Sequence, residues 1–319
     1  MLINMIKRQQ WKIVKVLAAS LMVGCMIAPF LVLARQGINL PSNRIVFSWN
    51  RDGDFDLYLM DADSNTVVSP LTDNTASDLT PVWSPDGTRV ALTSIVNNTY
   101  EIYVLTIATG ESDVLTNNSW DDLYPAWSPD GKQIAFTSNR DSNWDIYVMD
   151  ANGKNPKRLT TDPSYQGNPV WSPDGTRIAY VEGRDAQRDI MVMDATGDNP
   201  QPLTTRPTSA DYSPAWSPDG SQIAFVSNRD SNPDIFVVDT TCIGNSDTCD
   251  QLAVNLTSTN PGDDVDPAWR PDGLQLVFAS VRDNATSSDL YLMDVTGANV
   301  TQITATDGDE RFPSWWQPQ

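Results

Sequence analysis

The sequence predicts an all-β fold: a six-bladed β-propeller, closed by a C-terminal strand that completes the N-terminal blade and preceded by one N-terminal apolar helix. Three observations predict it. A Pro-x-Trp triplet recurs six times, at 81–83, 125–127, 169–171, 214–216, 267–269 and 313–315, with steps of 44, 44, 45, 53 and 46 residues between tryptophans. Repeats of that period are four-stranded blades, each too small to bury its own apolar faces alone. Between triplets run short β-branched and aromatic segments bounded by turn residues, which read as strands. The two ends are complementary: the first unit has strands but no triplet ahead of it, and the last triplet has no strands behind it.

The copy that begins at Trp127 shows each element in order. Ser128-Pro129-Asp130-Gly131 is a tight hairpin turn. Proline presets φ, aspartate bonds its own backbone and glycine takes the left-handed position. The strand through Ile134, Ala135 and Phe136 follows, then a loop to Trp144, then a strand over 145–150. A second turn at 150–153 leads to a short strand ending in Leu159-Thr160. Ile146, Tyr147, Val148 and Met149 are consecutive and apolar, so both faces of this sheet expect a packed neighbour. From the innermost strand outward, A ends in Pro-x-Trp, B carries Ile-Ala-Phe, C carries Asp-Ile-Tyr-Val-Met-Asp and D ends in Leu-Thr.

Strands B, C and D of a first unit lie between Arg44 and Thr72. The segment at 313–315 supplies their missing strand A, which leaves no free sheet edge. The domain reading is residues 1–35 as a signal peptide or transmembrane signal anchor, 36–43 as a linker and 44–319 as the propeller.

The repeated run Leu-Thr…Pro-x-Trp-Ser-Pro-Asp-Gly-Lys-x-Ile-Ala-Phe-x-Ser-x-Arg…Ile-Tyr-Val-Met-Asp resembles the TolB-type propeller repeat, and the resemblance covers residues 44–316. It implies a propeller that binds a protein or peptide partner on one face of its disc. Full-length TolB carries an α/β domain ahead of its propeller, whereas 43 residues precede the first strand here.

Composition bounds the partners. Five of the 21 basic residues, Lys7, Arg8, Lys12, Lys15 and Arg35, and none of the 41 acidic ones fall in residues 1–35; the remainder therefore sets 16 bases against 41 acids, a net charge of −25. Such a surface repels nucleic acid and anionic membrane. Residues 16–34 form an apolar stretch long enough to cross a bilayer, behind four basic residues that place the N-terminus inside. Three fates are open for it: a retained anchor, cleavage after Ala34, or lipidation at Cys25 within an imperfect lipobox at 21–25. Each exports the propeller to the periplasm or cell surface. Cys242 and Cys249 lie in an eight-residue insert that accounts for the 53-residue step. In an oxidising compartment they are expected to form a disulfide that staples a surface loop.

The chain contains no histidine, which removes Ser-His-Asp and Cys-His catalysis and imidazole-built zinc sites. Neither a Gly-x-Ser-x-Gly elbow nor a phosphate loop is present. The expectation is a monomeric non-enzyme: an extracytoplasmic interaction scaffold that presents one loop face to a protein or peptide. A calcium-dependent hydrolase or lyase, and a binder of small ligands or glycans, are the alternatives.

Two sets of residues are candidates for a site. Three positions before each Pro-x-Trp stand Asp78, Asp122, Gln166, Asp211, Asp264 and Glu310, expected to ring the mouth of the central channel. Crowded carboxylates either recruit a cation, calcium being the one suited to such oxygens, or pair with arginines. Arg51, Arg140, Arg184, Arg229 and Arg282 end strand B on the same face, with Val96 as the exception. Ion pairs locking each blade to its neighbour are the preferred reading, and no cofactor is required. The second set is aromatic: Trp49, Trp120, Trp144, Tyr165, Tyr212 and Phe312 map to loops of that face. They serve either as a partner surface or as plugs between blades.

Overall fold

A computed structural model describes residues 40–184, 187–282 and 286–316. They form six four-stranded antiparallel sheets. The innermost strand of each sheet touches the innermost strands of its two neighbours, and the ring closes where Glu310–Trp316 meets both Asp78–Trp83 and Asp264–Trp269. Blade 1 is the sheet built from both ends of the chain, in the order Glu310–Trp316, Arg44–Trp49, Asp56–Asp61, Thr66–Pro70. Its closing register pairs Arg44 with Trp316, Ile45 with Trp315 and Trp49 with Glu310. Blades 2 to 6 follow in sequence, their innermost strands being Asp78–Trp83, Asp122–Trp127, Tyr165–Trp171, Asp211–Trp216 and Asp264–Trp269. Closure by the C-terminal strand is therefore present.

Local chemistry makes the turns. Gly131 N–H donates to Ser128 O at 2.8 Å, and Asp130 Oδ1 accepts from Ser128 Oγ at 2.7 Å and from Lys132 N at 3.1 Å. Gly131 has φ +68°, a left-handed value that costs a side-chain-bearing residue more than glycine. Asp86, Asp174 and Asp219 repeat the arrangement.

The core lies between blades, as the two-faced apolar strands required. Each hydrophobic cluster is shared by two adjacent sheets; in one, Val46, Leu57 and Leu59 of blade 1 pack on Trp83, Val90 and Leu92 of blade 2. The repeat tryptophans are wedged here. Trp269 donates its indole N–H to Ala215 O of blade 5 at 3.0 Å. Arginines cap these wedges from the neighbouring blade, with Arg89 4.6 Å above Trp127 and Arg177 4.9 Å above Trp216. Arg44 serves two rings, at 4.8 Å from Trp83 and 4.2 Å from Trp316. Guanidinium-on-aromatic stacking thus adds to the apolar packing at these blade interfaces.

The insert departs from the expected surface loop. It folds into a 3-10 turn at Thr240–Cys242 and a helix α1 at Ser246–Leu252, so the fold is all-β with one short helix. Asn245 caps α1 by accepting from Thr248 N. The disulfide Cys242–Cys249 is present, with Cα atoms 5.3 Å apart, but both cysteines are buried. They join Trp216, Leu203 and Val238 in the cluster between blades 4 and 5. A short loop carrying two apolar sulfurs gains more by covering that cluster than by staying in water.

The expected N-terminal apolar helix, its cleavage point and Cys25 lie outside the described residues. Among the described residues, no helix is long and apolar enough to cross a membrane.

Candidate binding site at the channel mouth

Every innermost strand carries the same irregularity. Its register against strand B shifts immediately before the Pro-x-Trp proline, for example between Leu79 and Val82 and between Leu123 and Ala126. The residue just before that proline adopts positive φ in all six copies: Thr80 49°, Tyr124 55°, Asn168 53°, Ser213 50°, Asp266 55° and Phe312 54°. Such a bulge re-aims one side chain per strand. Here the six re-aimed residues line the central cavity, whose volume is about 410 Å³ and whose far end is bounded by Pro218 and Pro271 of the hairpin turns.

The carboxylate ring three positions before each proline therefore does not line an open mouth. Asp78, Asp122, Gln166, Asp211, Asp264 and Glu310 are all fully buried. Three blades pair them with strand-B arginines, Arg140 to Asp122 at 2.9 Å, Arg229 to Asp211 at 2.9 Å and Arg282 to Asp264 at 3.2 Å. Each arginine also donates Nε to the serine beneath it, Ser138, Ser227 or Ser280. These pairs join strands A and B of one blade; they do not bridge neighbours as expected. The bulge turns the channel-facing position two residues along, and the carboxylate is left inside its own sheet.

The other three blades differ. Val96 replaces the arginine in blade 2, and there the buried Asp78 has no arginine and accepts instead from Asn74 Nδ2 at 2.8 Å. Burial pushes the Asp78 carboxyl up to about 6. In blade 1 Arg51 lies 5.5 Å above the Trp49 ring, and Glu310 accepts instead from Thr304 and Thr306. Burial raises Glu310 to about 7. In blade 4 Gln166 donates to Ser164 Oγ at 2.8 Å.

The aromatic set divides by location. Trp49 packs on Tyr58 with ring centres 4.7 Å apart and planes tilted by 59°, and it donates to Asp307 O, so it seals the outer part of blade 1. Trp120 is bare, at 44 % exposure. Trp144 and Tyr165 form a pair at 6.3 Å, and Arg188 sits 5.1 Å over the Tyr165 ring. The Tyr165 phenol folds over Gly167, where any Cβ would overlap it. Phe312 is in the channel ring with Arg311 stacked at 5.0 Å. Arg311 reaches from blade 1 to Asp266 of blade 6 at 2.7 Å.

Tyr124, Asp266, Arg188 and Arg311 were not singled out from the sequence. The signal that finds Tyr124 and Asp266 is the column immediately before each Pro-x-Trp. Their charges reach one another across the mouth. Burial raises the Tyr124 phenol, the Asp266 charge adds to it, and Arg188 and Arg311 oppose it. Tyr212 is pushed up to about 12 by burial and then by Asp266 and Asp263, again opposed by the two arginines. Burial also raises Tyr165. All three phenols therefore keep their protons at neutral pH and remain hydrogen-bond donors. The mouth thus combines aromatic faces, phenolic donors, one ion pair and a guanidinium stacked on an aromatic ring, a set suited to peptide carbonyls and acidic groups.

A family model described as the TolB beta propeller domain matches residues 41–209 and 166–249. The chain belongs to the TolB β-propeller family. Among its relatives, the protein TolB homolog of Chlorobaculum tepidum is 43 % identical over 67 residues, which is 21 % of this chain and 15 % of that protein. The Tol-Pal system protein TolB of Dechloromonas aromatica is 35 % identical over 74 residues, 23 % of this chain and 17 % of that one. The crystal structure of TolB from Acinetobacter baumannii superposes with a TM-score of 0.74 at 25 % identity, covering 86 % of this chain and 66 % of that chain. The TolB-type propeller is thus shared, and the chain spans less than two thirds of each of these relatives.

Proposed function

We propose that this TolB-family propeller is an extracytoplasmic protein-interaction module without catalytic activity, and that the channel-mouth face receives a protein or peptide partner. The observation that carries the reading is the convergence of Tyr124, Asp266 and Phe312 at the channel with Arg188, Arg311, Tyr165 and Tyr212 around them. Aromatic and arginine side chains in a partly desolvated hollow are what protein hot spots are made of. Trp120, exposed on the same face, extends the apolar contact outward. The name of one relative, a Tol-Pal system protein, supports a role within a multi-protein system. Export is supported by the apolar segment at 16–34 and by the Cys242–Cys249 disulfide. In this reading the buried ring of Asp78, Asp122, Asp211, Asp264 and Glu310 holds the blades in shape, and partner contact falls to the aromatic set.

The test is photo-crosslinking from envelope fractions with the probe at Trp120, comparing the parent with Tyr124→Ala and Arg188→Glu. A partner captured by the parent and lost in both variants, with unchanged melting temperature, is the expected result. Capture that is indifferent to both substitutions would remove the mouth from the partner surface.

A further inference from the structure

The insert of blade 5 reaches from one end of its sheet to the other. It begins after Asp239, which pairs with Gln222 at the start of strand B, yet α1 delivers Asp250 to Arg229, just past the end of that strand. On the way it contacts blade 4. Gly244 N–H donates to Pro202 O at 3.2 Å, and Thr205 Oγ1 donates to Ser246 Oγ at 2.9 Å. At the far end Asp250, itself buried, gathers two arginines and a backbone donor. Arg229 Nη2 lies 3.3 Å from Asp250 Oδ1 and 2.9 Å from Asp211 Oδ2, so one guanidinium holds two carboxylates. Arg206, in the loop from blade 4 to blade 5, places Nε 3.6 Å from Asp250 Oδ1 and donates Nη2 to Asp250 O at 3.1 Å. Thr205 N–H donates to Asp250 Oδ2 at 3.2 Å. Asp211, Arg229, Asp250 and Arg206 are thus a chain of alternating charge that ties the innermost strand of blade 5 to a loop of blade 4.

The loop held in this way leads to the channel mouth. Its last residue, Ala210, forms a parallel bridge with Arg188, and Gln187 Nε2 donates to Pro207 O. Arg188 is the guanidinium that lies 5.1 Å over the Tyr165 ring. Directly after Asp211 come Tyr212 and the bulged Ser213 of the channel lining. The blade 4 side of the mouth therefore rests on a loop whose first residues are fixed by Asp250, while its end is fixed by Asn228, which accepts from Ala210 N at 2.7 Å. Asp250 in turn depends on the disulfide. A helix of seven residues is too short to hold itself. The bond from Cys249, the residue before Asp250, to Cys242 in the 3-10 turn ties the last turn of α1 in place.

We propose that Asp250 is a positioning residue for the channel mouth, and that the Cys242–Cys249 bond makes its placement depend on oxidation. In the oxidised chain Asp250 fixes Thr205 and Arg206, and through that loop the setting of Arg188 against Tyr165 and Tyr212. In the reduced chain α1 loosens, the carboxylate leaves Arg229 and Arg206, and the loop is free between Thr204 and Ala210. The mouth then takes its binding geometry only after two cysteine thiols have given up two electrons and two protons to a disulfide-type oxidant, which becomes a dithiol. The consequence for a partner rests on the mouth being the binding face; the placement of the loop does not.

The test is hydrogen–deuterium exchange of the full-length chain, read by mass spectrometry, with melting temperature reporting that each form is folded. One arm uses dithiothreitol, whose two thiols close to a ring disulfide as Cys242 and Cys249 become thiols; a second uses the Cys242→Ala, Cys249→Ala chain, which needs no reductant. Both should speed exchange at least tenfold over 204–210 and 187–189 and leave 116–122, the matching loop of blade 2, unchanged. Asp250→Asn should do the same in the oxidised chain, although it keeps the side chain's shape, so a role in packing alone would not produce the effect. Added to the cysteine-free chain, Asp250→Asn should change exchange less than twofold, since the carboxylate has already been released. Unchanged exchange over 204–210 in a folded Asp250→Asn or reduced protein would overturn the proposal. Photo-crosslinking from Trp120 in the same variants separates the two readings. Capture lost together with loop protection supports both. Capture that persists after protection is lost overturns the coupling to the mouth. No capture by the parent, with the exchange result as expected, sinks the partner reading and leaves the positioning role standing.

Discussion

The Trp83 indole N–H donates to the Ser314 carbonyl oxygen at 3.1 Å. The innermost strand of blade 2 is thereby fastened to the last strand of the chain, which completes blade 1. In that closing strand Trp315 is buried and donates to Asn43 Oδ1 at 2.6 Å. Trp315→Ala should cost about 3–5 kcal/mol, the usual loss for a buried large aromatic. Removing residues 312–319 should cost more, since it also bares a sheet edge. Chemical denaturation measures both, and a truncated chain as stable as the parent would falsify closure as a stabilising device.

The buried Arg140–Asp122 pair should be asymmetric to mutation. Arg140→Met leaves a fully buried carboxylate without its cation, and should destabilise by about 3–5 kcal/mol. Val96→Arg does the reverse in blade 2, where the buried Asp78 carboxylate has no arginine. It should stabilise by about 1–2 kcal/mol through a charge-assisted bond. A destabilised Val96→Arg protein would show that blade 2 has closed over the missing arginine.

Stability should depend on pH through Asp189. Burial first, then the Asp211, Asp250 and Glu182 charges, raise it to about 7. A carboxyl whose folded value exceeds its unfolded value of about 4 is held neutral in the fold while the unfolded chain ionises. The unfolded state is therefore favoured progressively as pH climbs from about 4 to 7, and the penalty is constant above that. Asp189→Asn should flatten this slope and gain on the order of 1 kcal/mol at neutral pH. Unfolding curves at several pH values decide it, and a parallel slope in the variant would count against the assignment.

The disulfide encloses six intervening residues, so the chain-entropy contribution should be about 2–3 kcal/mol. Because both sulfurs lie in the cluster with Trp216, the Cys242→Ser, Cys249→Ser double variant should lose somewhat more by placing hydroxyls in an apolar site. Mass spectrometry of unreduced, alkylated protein checks the bond itself; two modified cysteines would refute it.

Blade number, strand order and the closing partner were legible in the sequence because they depend on local chemistry. Ser-Pro-Asp-Gly makes its turn from its own hydrogen bonds, and Ile-Tyr-Val-Met demands cover on both sides wherever it is placed. The cysteine pairing was legible for the same reason, since six intervening residues cannot put the two sulfurs far apart. Which residues face the channel was decided only by the tertiary structure. A residue before proline prefers extended backbone, yet Tyr124, Asp266 and Phe312 take positive φ at a bulge that exists only once two strands pair. That bulge moved the channel lining from Asp122 to Tyr124 and confined the arginine pairs to single blades. Trp49 and Trp120 look alike in sequence, but one meets Tyr58 and the other meets water, because ring packing depends on what the neighbouring strand presents.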